Sequence, residues 1–236
     1  RLDGSQLNLV NTDGQQTIEV IGGLSYSGGA EVYLERRGSN GQPFLQIDGT
    51  VSRLGLGTLA LRYNANNELG AAGFPGAANT QRIIVSNPGN SSVLARGMVG
   101  STVVPMVAPH IFNLQEMTFV DYDPTTGRGF SKAMWRTGGG FSNSTFNSGG
   151  LSDGTEILAH VTTTVNAVSP GADVYALRTD VSISDPENDP IRIRSGGLAT
   201  SNTGGSPTIS VPLIFGSTTT PAEADIWTNT GTGQSL

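Results

Sequence analysis

The sequence predicts an all-β chain: a right-handed parallel β-helix segment, with an antiparallel β-sandwich as the alternative. Three observations carry this. Short runs alternating polar with β-branched or aliphatic residues recur along the 236 residues. Thirty-three glycines interrupt nearly every stretch long enough to hold a helix. Aromatics make up only 6%, and small aliphatics suit the narrow, stacked interior of a β-helix better than the broader core of a sandwich.

The runs follow in order. Residues 6–10 (QLNLV), 17–21 (TIEVI), 30–34 (AEVYL), 58–63 (TLALRY) and 82–85 (RIIV) each read as a strand. Gly22-Gly23 and Gly28-Gly29 supply turns between them. From about 70 to 130 the pattern loosens around Phe74-Pro75-Gly76, an apolar stretch at 98–111, and Asp121-Tyr122-Asp123-Pro124. That section is expected to be a less regular coil or an excursion from the side of the solenoid. It still holds a strand-like run at 117–120 (MTFV).

Residues 138–150 (GGGFSNSTFNSGG) read as an uncharged connector, dividing a first β-helix segment over 1–137 from a second over 151–236. In the second, 156–159 (EILA), 174–177 (VYAL), 191–194 (IRIR) and 208–211 (TISV) read as strands, with turns at Gly196-Gly197 and Gly204-Gly205. Spacings of roughly ten to twenty residues fit coils of about twenty.

Composition excludes several function classes. The net charge is −6, which argues against the dense basic face that nucleic-acid binding needs. No Cys is present, so disulfide frameworks and thiolate metal sites are out. No apolar run reaches the roughly 18 to 20 residues of a membrane-spanning helix. Lys132 is the only lysine, amid abundant Gly, Ser, Thr and Asn. This composition leads us to expect an exported, cell-surface β-protein. Because the sequence opens at Arg1 without Met and ends in the same pattern, we expect an internal stretch of a larger polypeptide.

The order of motifs adds a resemblance. Residues 174–178 (VYALR), 191–198 (IRIRSGGL) and 205–210 (GSPTIS) resemble the autotransporter-associated β-strand repeats of giant bacterial passenger-type surface proteins. Residues 33–38 (YLERRG), 54–59 (LGLGTL), 97–100 (GMVG) and 117–123 (MTFVDYD) are similar to the segment joining two groups of such repeats. Residues 185–190 (DPENDP) depart from the pattern, standing where the repeat has a short hairpin. The resemblance implies a parallel β-helix, export, and a structural or adhesive role outside the cell. It supplies no catalytic residues.

Each candidate site in the sequence has a structural reading beside the functional one. Asp121 and Asp123 are two apart in a strand-like run and would share a face, as paired carboxylates for glycoside hydrolysis must; an Asp-rich turn before Pro124 is the simpler reading. Asp185, Glu187, Asn188 and Asp189 offer hard oxygen ligands for Ca²⁺, without the EF-hand spacing; a solvated acidic turn is the simpler reading. His110 and His160 lie in apolar contexts and read as structural, with no Gly-x-Ser-x-Gly elbow to pair with them. Trp135, between Lys132 and Arg136 and next to the connector, is the candidate glycan-stacking platform.

We therefore expect a non-catalytic structural element: a rod, filament or surface-layer component with no cofactor, Ca²⁺ being the one candidate. Its partners would be further coils of the same polypeptide or like subunits at open β-helix ends. The alternatives are a glycan-binding adhesin and a polysaccharide-degrading β-helix enzyme.

Overall fold

A computed structural model describes residues 1–11, 15–37, 41–64, 69–70, 81–124, 127–133, 142–143, 158–201 and 206–229. The chain is all-β. Among the described residues there is no α-helix, only two single 3-10 turns at Pro88–Asn90 and Ser92–Leu94. Two compact units are present: Arg1–Arg96 with Pro105–Arg136, and Gly97–Val104 with Thr137–Leu236. Of the connector expected at 138–150, only Ser142–Asn143 lies within the described residues, and it is a strand.

Unit 1 is laid down in successive passes. The first contributes β1 (Leu2–Asp3), β2 (Gln6–Val10) and β3 (Gln16–Ile21). The second contributes β4 (Leu24–Ser27), β5 (Gly29–Glu35) and β6 (Gln42–Ile47). The third contributes β7 (Val51–Arg53), β8 (Thr58–Tyr63) and β9 (Arg82–Val85). Each strand pairs in parallel with its counterpart in the next pass, giving sheets β1-β4-β7, β2-β5-β8 and β3-β6-β9.

The registers set the length of a pass. Leu2 faces Tyr26 and Gln6 faces Glu31, whereas Gly29 faces Thr58. These passes are longer than the expected twenty residues. Because side chains alternate with period 2, an unslipped register places like over like. Leu9, Leu34 and Tyr63 form one buried column, and Ile21, Ile47 and Val85 form another in which Ile21 is only partly covered.

Asparagines close the corners. Buried Asn11 accepts from the Arg37 backbone N–H at 2.6 Å and donates to the Gln15 carbonyl at 3.2 Å. Asn64 repeats the device two passes later, accepting from Arg36 N–H at 2.5 Å and donating to its carbonyl at 3.0 Å. A carboxamide suits this position because it both donates and accepts.

Beyond β9 the looser middle section adds antiparallel structure to one further parallel strand. The hairpin β10 (Gly97–Val99) and β11 (Thr102–Val104) groups with unit 2. In unit 1, β12 (Ile111–Asn113) extends the β8 edge in parallel, with Ile111 facing Leu59. The chain then reverses into β13 (Thr118–Asp123) and β14 (Gly129–Lys132), both antiparallel. Val120, Tyr122 and Phe130 enter the core cluster. Tyr122 Oη accepts from the Val85 N–H at 2.8 Å and donates to the Val85 carbonyl at 2.9 Å, covering part of the β9 edge. Gly129, at φ +71°, lies so close that a Cβ would fall 2.0 Å from the Ile83 carbonyl oxygen.

Unit 2 begins with a shorter pass, 18 residues from Leu158 to Ala176, and lengthens to 28 from Gly197 to Asp225. Its strands are β15 (Ser142–Asn143), β16 (Leu158–Val161), β17 (Asp173–Val174), β18 (Ala176–Thr179), β19 (Ile191–Ile193), β20 (Gly197–Thr200), β21 (Leu213–Phe215) and β22 (Asp225–Thr228). They form parallel sheets β15-β16-β18-β20-β22 and β17-β19-β21. Parallel bridges from Val165 to Ile183 and from Ile183 to Ile209 mark a third line of contact. The run at 174–177 is split at Tyr175, so Val174 and Leu177 belong to different sheets. The run at 208–211 keeps only the Ile209 bridge; it stands between Pro207 and Pro212, which have no N–H to give a ladder.

Antiparallel pairing is confined, among the named strands, to β10–β11, β12–β13 and β13–β14. The antiparallel sandwich considered from sequence is not what these strands form.

Candidate functional site

In unit 2 the register aligns His160, Arg178, Ala199 and Trp227 in one column across β16, β18, β20 and β22. Ala159, Leu177 and Leu198 face the core, so this column is on the opposite face. His160 Nε2 and Asp180 Oδ2 are hydrogen-bonded at 2.8 Å, and Arg178 Nε donates to Asp180 Oδ1 at 3.3 Å. Burial works against ionisation of Asp180. The bond to His160 and the charge of Arg178 outweigh it and hold the carboxyl below its ordinary value. An imidazole–carboxylate pair becomes catalytic when a nucleophile sits on the imidazole. Among the described residues no hydroxyl hydrogen-bonds His160. On the neighbouring sheet Arg194 grips Asp173 bidentately at 2.7 and 2.9 Å.

Unit 1 contains a second polar face. Glu31 Oε1 accepts from Gln6 at 2.9 Å and meets Arg62 Nε at 2.7 Å, while the Arg62 guanidinium lies 4.4 Å over the Tyr33 ring. A cleft of about 240 Å³ is bordered by Ile84, Ser86, Pro88, Tyr122, Pro124 and Gly129. Burial raises the Tyr122 hydroxyl above its ordinary pKa, and that hydroxyl is bonded to the Val85 backbone.

The sequence candidates fall as follows. Asp121 is fully buried on β13 and is held by Arg96 through two bonds of 2.7 and 2.8 Å, so it forms an ion pair inside a strand rather than an open acid or a turn. Asp123 is paired across the ladder with Gly129. His110 is buried beside Tyr26, with ring centroids 6.1 Å apart.

In the acidic loop, Asp185 turns its carboxylate onto backbone. Oδ1 accepts from Val168 N–H at 3.3 Å and Oδ2 from Asp189 N–H at 2.6 Å. Asn188 takes φ +60°, and Glu187 and Asn188 are exposed. Asp185 thus closes the loop on itself. No group of three or more His, Asp or Glu side chains that could hold a metal ion occurs among the described residues. Trp135 lies outside the described residues.

Sequence reading missed a polar cluster around Glu116. Lys132 Nζ meets Glu116 Oε2 at 2.7 Å, and the Tyr63 hydroxyl donates to Glu116 Oε1. Burial, then Glu116, raises Tyr63 far above its ordinary pKa. The available signal was that Lys132 is the only lysine in the chain.

The chain matches no protein-family model, no curated protein and no solved structure. No helix among the described residues is long and apolar enough to cross a membrane.

Proposed function

We infer that each unit is a segment of right-handed parallel β-helix and that the chain is a non-catalytic structural element of a large exported bacterial surface protein. The observation that carries the reading is the register: strands of successive passes stack in parallel in the same order, with core residues in continuous columns. Parallel strands joined by crossovers are right-handed in roughly 98% of cases. The resemblance of 174–178, 191–198 and 205–210 to autotransporter-associated repeats agrees with this reading. So does the chemistry of the polar faces, where carboxylates are engaged by Arg, His or backbone.

The partners are further parallel coils or like subunits. Ile226 continues the core column of Ala159, Leu177 and Leu198, yet it is 54% exposed on the edge strand β22. Leu213, Phe215 and Ile209 beside it are only partly buried. At the first pass of unit 1, Leu2, Leu7 and Ile21 are likewise only partly covered. Such edges accept another strand layer.

Electron microscopy of the purified chain over a concentration series tests the reading. Narrow rods that lengthen with concentration are expected. Compact particles of constant size, or release of reducing sugar from polysaccharides, would overturn it.

A further inference from the structure

Strand β3 carries its side chains the wrong way round for its place in unit 1. In its register Thr17, Glu19 and Ile21 stand over Pro43, Leu45 and Ile47, and Leu45 and Ile47 are buried in the core. The column continues to Ile83 and Val85 on β9. Period-2 alternation therefore turns Glu19 to the core side, where it ends an otherwise apolar column. The same alternation turns Ile18 and Val20 outward, and they are 50% and 53% exposed. On β2, in the same pass, Leu7 and Leu9 stand over Val32 and Leu34, while Gln6 and Asn8 are exposed. Among the described residues β3 pairs only with β6, so Glu19 reaches water at the sheet edge. An inward-pointing charge on an edge strand keeps further strands from adding to it.

A shift by one residue reverses every one of these placements. With β3 moved one place along β6, Ile18 stands over Leu45 and Val20 over Ile47. Glu19 then turns outward opposite Gln46, and Ile21 leaves the core side. Two apolar side chains enter for the one that leaves, and the carboxylate goes to solvent. In the sequence the strand lies between Gly14 and Gly22-Gly23. Nothing lies within 4 Å of where a Gly22 Cβ would stand, so the corner has room for the residue that the shift pushes into it.

We propose that β3 occupies two registers on β6, one residue apart, and that the shift gates the addition of a further parallel coil to this edge. The gate rests on the stacking read above. In the described register Glu19 faces the place such a coil would take, and burying its carboxylate without a partner carries a large cost. In the shifted register the column of Ile18, Leu45 and Ile83 is apolar to its end, and a coil can stack on it.

The chain has no Cys, so paired substitutions in the full chain report the register without background. A disulfide needs Cα atoms about 4.4 to 6.8 Å apart with their Cβ atoms turned toward each other, which directly opposed residues of neighbouring strands satisfy. Val20→Cys with Gln46→Cys closes in the described register. Glu19→Cys with Gln46→Cys, and Ile21→Cys with Asp48→Cys, close only in the shifted one. In the described register Glu19 and Ile21 face the core side, while Gln46 and the Asp48 carboxylate bonded to it lie outward. In a glutathione buffer all three pairs should close, the last two more slowly. Both shifted pairs staying reduced while the Val20 pair closes would overturn the proposal. Adding Glu19→Leu to the Ile21 and Asp48 pair should slow its closure about tenfold, because a leucine gains from the core side. Unchanged closure would overturn the role of Glu19. In electron microscopy, chains locked through positions 21 and 48 should form rods at lower concentration than chains locked through 20 and 46. Equal assembly by both overturns the gate. Rods from neither overturn it together with the stacking reading, while the disulfides alone decide the two registers.

Discussion

Arg96 donates two parallel hydrogen bonds to Asp121, at 2.7 and 2.8 Å, and the carboxylate they hold is completely buried on β13. The bidentate fork fixes the geometry as well as the charge. Replacing Arg96 by Ala would leave an uncompensated buried charge, so a loss of about 3 to 5 kcal/mol is expected. Denaturant unfolding followed by near-ultraviolet circular dichroism measures it. Replacing both residues by apolar ones of similar volume should recover most of the loss, and equal damage from the single and double changes would contradict this account.

Asn11 bonds the Arg37 backbone and its own turn from a buried corner. Asn11→Ala leaves a backbone donor unpaired, at a cost of about 1 to 3 kcal/mol. Hydrogen exchange at the Arg37 amide is the direct readout. Faster exchange there, with little change in unit 2, is the expected pattern.

Tyr122→Phe removes one hydroxyl and with it both bonds to Val85. A destabilisation of about 1 to 3 kcal/mol is expected, together with faster exchange of the Val85 amide. Gly129→Ala should be worse, since the added Cβ meets the Ile83 carbonyl and φ is +71°. A neutral Gly129→Ala variant would mean that β14 does not lie against β9.

Asp180 has a folded pKa depressed below its unfolded value. Its contribution to stability is therefore complete above the unfolded carboxylate pKa of about 3.9 and disappears as pH falls through the lower folded value. The melting difference between the wild type and Asp180→Asn should be largest near neutral pH and should shrink toward zero in strong acid. A difference that grows on acidification would contradict the network of His160, Asp180 and Arg178.

Much of the strand content was legible because alternation survives where one face is buried. Residues 6–10, 58–63 and 82–85 are strands at the bounds their pattern gave. Strand β6 hid behind Pro43, which local rules read as a breaker, although it pairs with Thr17 at the start of the β3 ladder. Strand β13 was legible as the run at 117–120, but its antiparallel partner β14 was not, because β13 is buried on both faces and its pattern does not say which neighbours it takes. Asp121 drew attention for its spacing to Asp123, but its function depends on Arg96, 25 residues away. No local rule reports such a partner. The acidic loop was legible in composition only, since which groups the Asp185 oxygens bond is a matter of tertiary placement.

The parallel stacking of unit 1 also dictates how it would yield under load. The backbone hydrogen bonds that join one pass to the next point along the direction of stacking, so a pull in that direction opens them in sequence instead of shearing them together. Between Leu2 and Tyr26 one pass spans 24 residues, and between Gly29 and Thr58 it spans 29. The first two passes peeled away would each release about 80 to 100 Å of chain, and the third, 38 residues from Phe44 to Arg82, about 130 Å. Stretched in a force spectrometer from its first strand, unit 1 should give a stepped trace with increments of those sizes until the antiparallel layer is reached. That layer would give a different final step.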